Sequence, residues 1–62
     1  MSVKRRDLVR YLESKGFYLL REGANHSIYS DGVRVIPVKR HRQLDRITAN
    51  ELCKQAGLDP KY

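Results

Sequence analysis

The sequence predicts an α+β domain in the order α-β-β-β-α, a three-stranded antiparallel sheet with two helices on one face. Three observations carry this expectation. An amphipathic stretch over Ser2–Lys15 stops at Gly16, two strand-forming runs flank Asp31-Gly32, and a closing apolar stripe opens on Thr48 and ends at Gly57.

In the first stretch Leu8, Val9, Tyr11 and Leu12 recur at three- and four-residue spacing, and Lys4, Arg5, Arg6, Arg10 and Glu13 take the remaining surface. Ser2 is suited to cap this helix, and Gly16 to the left-handed conformation that ends one. The basic side of the helix reads as a solvated face. Phe17–Arg21, rich in aromatic and branched residues, follows as a strand ended by the Gly23-Ala24 turn. A second strand runs from Asn25 to Ser30. Asp31-Gly32 is a hairpin signal, because both central positions of a type I′ turn need positive φ, and Val33–Val38 is the returning strand.

That turn centre pairs Ser30 with Val33, Ile28 with Val35, His26 with Pro37, Tyr29 with Arg34 and Ser27 with Ile36. His26 and Tyr29 therefore lie on opposite sheet faces. The face of Tyr29, Ile36 and Val38 is the expected core, which leaves His26 at the open surface. Lys39–Gln43 is a basic loop. Thr48 and Glu51 have the spacing of a capping box, Ala49, Leu52, Cys53 and Ala56 form the stripe, and the second helix is expected over Thr48–Ala56. Cys53 on that stripe reads as a buried apolar residue rather than a reactive thiol.

Sixty-two residues make one small domain, 1–62, without room for a second domain or a deep cofactor cleft. Thirteen Lys and Arg against seven Asp and Glu give a net charge of +6, which favours an anionic partner, nucleic acid before an acidic protein or a membrane surface. A single cysteine allows no internal disulfide and no Cys-rich zinc site, as in a protein of the reducing cytoplasm. The basic start Met1–Arg6 leads into Asp7, Arg10 and Glu13 rather than an apolar segment, so no export signal is expected. No run approaches the ~20 apolar residues of a membrane span, so a soluble protein with no membrane partner is expected. The Asn25-His26-Ser27 sequon is then a chance match. The histidines and cysteine are too widely spaced for a metal site, the acids too scattered for a two-metal nuclease, and there is no Gly-rich phosphate loop. Neither metal nor small-molecule cofactor is expected.

Histidine is the side chain whose ordinary pKa, about 6.5, lies nearest neutrality, and the chain has two, His26 and His41. His26 follows Gly23-Ala24, small residues that let a substrate approach closely, and Asn25 beside it can orient a substrate. Arg34, Lys39, Arg40, Arg42 and Arg46 form a basic constellation around His41, and its start lies alongside His26. A histidine next to several cations suits RNA, which carries its own nucleophile in the 2′-hydroxyl. Scission then needs a base for that proton, an acid for the leaving 5′-oxygen and cations for the crowded phosphate.

These residues resemble the HicA-type toxins, the small RNase components of HicAB toxin-antitoxin pairs. The likeness lies in Leu12-Glu13-Ser14-Lys15-Gly16-Phe17, Arg21, Gly23-Ala24-Asn25-His26, Ile36-Pro37-Val38 and Leu52-Cys53-Lys54-Gln55-Ala56-Gly57-Leu58. The resemblance implies a double-stranded-RNA-binding-domain-like fold, ribosome-independent mRNA cleavage, a catalytic histidine at His26, and a HicB antitoxin that covers the active site. Ala24 stands where family members usually carry serine. The resulting expectation is a metal-independent endoribonuclease acting on mRNA, with His26 as general base or acid, Gly23 and Asn25 shaping the substrate site, and Lys39, Arg40 and Arg42 contacting phosphate. Its rivals are a non-catalytic double-stranded-RNA binder and a module that recruits an acidic protein.

Overall fold

In the computed structural model, which describes residues 2–62, the chain runs β1 (Ser2–Lys4), α1 (Arg5–Ser14), β2 (Tyr18–Glu22), β3 (His26–Ser30), β4 (Val35–Lys39), β5 (Gln43–Asp45) and α2 (Arg46–Gln55). Met1, the first residue of the expected domain and of its basic start, lies outside the described residues. The three central strands form the expected antiparallel sheet, in the order β2-β3-β4. Gly16 ends α1 with a φ of +91°. Its amide donates to the Glu13 carbonyl at 3.1 Å and the Phe17 amide to the Leu12 carbonyl at 3.0 Å, which turns the chain and folds Phe17 back into the core.

Two segments differ from the expectation, for one reason. Ser2–Lys4 is not the start of α1 but an extended strand, and Gln43 is not loop but the start of another. They pair antiparallel with Ser2 opposite Asp45, Val3 opposite Leu44 and Lys4 opposite Gln43. Val3 and Leu44 point together into the core, with exposed residues on either side of each. Polar-apolar-polar over three residues is too short to register as a strand period. Ser2 consequently does not cap α1, and its hydroxyl donates instead to Gln43 Oε1 at 2.9 Å. The same pairing delivers the chain into α2 at Arg46, two residues before the expected Thr48. Thr48 falls inside the helix and no side chain caps its start, so the capping box does not form. The expected stop at the other end holds, with the Gly57 amide on the Lys54 carbonyl at 2.9 Å and the Leu58 amide on the Cys53 carbonyl at 2.8 Å.

The hairpin register is also displaced. His26 stands opposite Lys39, Ser27 opposite Val38, Ile28 opposite Pro37, Tyr29 opposite Ile36 and Ser30 opposite Val35. The turn centre is therefore Gly32-Val33, one residue beyond Asp31-Gly32. Gly32 alone in this turn has positive φ, at +94°, the pattern of a II′ rather than a I′ turn. Asp31 acts from the position before it, with Oδ1 accepting from the amides of Val33 at 2.9 Å and Arg34 at 2.7 Å.

A displacement of two residues keeps every side chain on its predicted face. Ser27, Tyr29, Ile36 and Val38 are buried, and the last three share one core with Leu8 and Leu12 of α1 and with Ala49, Leu52 and Cys53 of α2. Burial pushes the Cys53 thiol up from its ordinary pKa, in keeping with an apolar packing role. Of the aromatic residues, Phe17 and Tyr29 are core, Tyr11 packs against it and Tyr18 is exposed. Among the described residues no helix is long and apolar enough to cross a membrane.

The Asp31 turn gives a pH-dependent test. The Arg34 amide, then the Val33 amide, hold this carboxylate below its usual range in the folded chain. A lowered folded-state pKa contributes stability that is present above the unfolded value near 3.9 and is lost as pH falls through the folded value. In urea titrations, the gap in unfolding free energy between the parent and Asp31→Ala is expected to be constant above about pH 5 and to narrow steadily below about pH 4. A gap that does not narrow in acid contradicts this role for the carboxylate.

Candidate active site

His26 opens β3, the central strand of the sheet, and its side chain lies on the face turned away from the helices. Two sets of contacts fix the turn before it. The Gly23 amide donates to the His26 carbonyl at 2.7 Å. The Gly23 carbonyl accepts from Arg40 Nη2 at 2.7 Å, and the same nitrogen reaches Glu22 Oε2 at 2.6 Å. A Cβ added at Gly23 would lie 3.1 Å from the His26 carbonyl oxygen, a tight approach, so a larger residue would press on the turn where it folds on itself. Ala24 and Asn25 are exposed at its tip.

Directly across the β3–β4 pair stands Lys39, so its side chain and that of His26 rise from the same sheet face, roughly 5 Å apart at Cβ. On the other face, buried Ser27 accepts from Arg5 Nη2 at 2.7 Å. Arg5 Nε also donates to the Lys39 carbonyl at 2.9 Å, and the Arg5 amide to the Arg42 carbonyl at 2.8 Å. The start of α1 is thereby stapled to both sides of the basic loop.

Beside the staple lies an open groove of ≈ 580 Å³ lined by Lys4, Arg5, Arg6, Arg40, Arg42 and Gln43, five cations and a neutral amide. Of the residues expected at a site, His26, Gly23, Asn25 and Lys39 gather around the β2–β3 turn. Arg42 lies in the groove, and Arg40 joins the two by lining the groove and holding Gly23. His41 is exposed in the same loop and is not among the groove's lining residues.

Sequence reasoning did not find the contribution of Lys4, Arg5 and Arg6, nor the partnership of Glu22 with Arg40. Arg5 and Lys39 are 34 positions apart, and their meeting depends on the short β1–β5 pair. The only signal available was the polar-apolar-polar pattern shared by Ser2-Val3-Lys4 and Gln43-Leu44-Asp45. Among the described residues, no group of three or more His, Cys, Asp or Glu could hold a metal ion. What the site offers is an acid-base side chain beside an ammonium, adjoining a cationic groove, an arrangement suited to proton transfer at a phosphate.

A family model described as HicA toxin of bacterial toxin-antitoxin matches residues 5–58 of the 62-residue chain. No curated protein and no solved structure compared with the chain matches it.

The Arg40 latch is testable by itself. Arg40 and Glu22 are both about half exposed, so the pair contributes under about 1 kcal/mol to global stability. Arg40→Ala is expected to leave the urea midpoint nearly unchanged while hydrogen exchange at the Gly23 amide accelerates several-fold. Glu22→Gln should do so more weakly, because the contact with the Gly23 carbonyl remains. Unchanged Gly23 exchange in Arg40→Ala contradicts the latch.

Proposed function

The chain belongs to the HicA toxin family of bacterial toxin-antitoxin systems, and from that premise we propose that it is an endoribonuclease that cleaves mRNA at His26 without a metal ion. The observation that carries the reading is the position of His26 at the head of the central strand, on the open sheet face and opposite Lys39. The Gly23 turn and the Arg40 latch fix its backbone.

In this reaction the substrate supplies the nucleophile. His26 takes the proton of a 2′-hydroxyl as its oxygen bonds to the adjacent phosphorus, and the P–O5′ bond breaks as the leaving oxygen takes a proton from solvent water. The products are a 2′,3′-cyclic phosphate and a 5′-hydroxyl. In the alternative assignment His26 as imidazolium gives its proton to the leaving 5′-oxygen and water takes the 2′-hydroxyl proton, so that in either case one proton is removed and one delivered. Lys39, on the same face, stabilises the charge gathering on the phosphate oxygens, and Arg40 and Arg42 hold the strand beside it. Arg40 makes both of its protein contacts through Nη2, which leaves the Nε and Nη1 donors for phosphate. Asn25, at the exposed tip, orients the nucleotide, and Gly23 lets the strand approach. A HicB-type antitoxin is the protein partner and acts by covering the His26 face.

The test is incubation of the purified protein with single-stranded RNA in chelator. His26→Ala is expected to cleave on the order of a hundred- to ten-thousand-fold more slowly than the parent, while RNA binding stays within a few-fold. Equal cleavage by parent and variant overturns the reading. Binding and protection of duplex RNA with no cleavage by the parent would favour a non-catalytic RNA-binding module.

A further inference from the structure

The groove beside the site has more cations than its own protein can use. Its lining residues include five cations and no acid. Among the described residues only one of them, Arg40, has an ion-pair partner, the Glu22 carboxylate. Arg5 is spent on internal contacts with Ser27 and the Lys39 carbonyl. Lys4, Arg6 and Arg42 remain exposed and without ion pairs among the described residues.

These charges are not scattered along a mobile surface. The Lys4–Gln43 strand pair and the bond from the Arg5 amide to the Arg42 carbonyl hold their backbones together. Like charges fixed side by side repel one another, a cost that an anionic ligand relieves.

We infer that this groove is a second phosphate subsite, which binds the RNA strand beyond the scissile phosphate and so makes the substrate a single strand several nucleotides long. The inference rests on the ribonuclease reading for the strand's placement at His26. Lys39 shares its sheet face with His26, and Arg42 follows three residues later, so the two Cα atoms are at most about 11 Å apart. A strand with its reacting phosphate at His26 and Lys39 passes over Arg40 and enters the groove within a few nucleotides. Four of the five cations are arginines, whose planar forks match phosphate oxygens in pairs. An acidic peptide would satisfy the charge, but such a ligand gains nothing from the link that Arg40 makes between the groove and the turn before His26.

The test uses an all-2′-deoxy strand of ten nucleotides, which lacks the nucleophile and is not cut by this chemistry, in fluorescence anisotropy over a range of salt. Lys4→Gln with Arg6→Gln, both at exposed side chains, is expected to weaken binding at least tenfold at low salt. The same pair of substitutions should lower the slope of log K against log salt by about 1.4, at roughly 0.7 per phosphate lost. Lys15→Gln with Lys54→Gln removes the same charge outside the groove and is expected to bind as the parent does. Equal weakening by both double variants assigns the effect to net charge and overturns the subsite. So does tighter, groove-dependent binding of a polyglutamate peptide of equal charge, which identifies a protein-docking surface instead. If the groove variant loses binding while the parent leaves an RNA strand uncut, the ribonuclease reading fails and the phosphate subsite stands.

Discussion

Arg5 is the residue on which the arrangement of the site depends. Its guanidinium bonds to a buried serine of β3 and to the last carbonyl of β4, and its own amide bonds to the far end of the basic loop. Without these three contacts the start of α1 would meet the sheet through apolar packing at Leu8 and the short strand before it, with no polar tie to the basic loop. With them, the residue after His26, the backbone of Lys39 and the carbonyl of Arg42 are held in one frame. The guanidinium is half-buried and hydrogen-bonded to a hydroxyl and a carbonyl, so its cost of desolvation is met by charge-assisted bonds. The positive charge remains to add to the field of the groove.

The β1–β5 pair and Arg5 work at different levels. Pairing Val3 with Leu44 buries two apolar side chains and contributes to the core. The same pairing sets exposed Lys4 beside Gln43, so a packing interaction determines where surface charge accumulates. Arg40 then joins the groove to the turn that carries His26. The basic groove and the turn before His26 are thereby connected through backbone contacts, with Arg5 and Arg40 the two groove cations whose side chains are held by hydrogen bonds.

The long elements were legible in the sequence because each spans more than one period of its pattern. α1, the central strands and the end of α2 all announce themselves through apolar spacing and glycine stops. The core face was legible even though the register was not, since a turn centre displaced by one residue shifts pairing by two and returns every side chain to its face. The choice between Asp31-Gly32 and Gly32-Val33 turned on whether Asp31 would adopt positive φ or accept the Val33 and Arg34 amides, and the dipeptide does not distinguish these. His26 and its turn could be read from local chemistry. The groove could not, because Lys4–Arg6 read as the solvated face of a helix until a three-residue strand brought them against Arg42. Thr48 and Glu51 illustrate the reverse case, a sound local signal overridden when tertiary pairing started the helix earlier.

The chemistry assigned to His26 leaves a signature in the products that neither an RNA-binding module nor a metal-dependent nuclease would leave. The most direct measurement is mass spectrometry of the ends formed when the purified protein acts on a short RNA in chelator, beside the same RNA carrying 2′-deoxy sugars at the cleavage sites. The account predicts 2′,3′-cyclic phosphate and 5′-hydroxyl ends from the first and no cleavage at the deoxy positions of the second. Ends bearing a 5′-phosphate and a 3′-hydroxyl, or equal cutting at the deoxy positions, would contradict it.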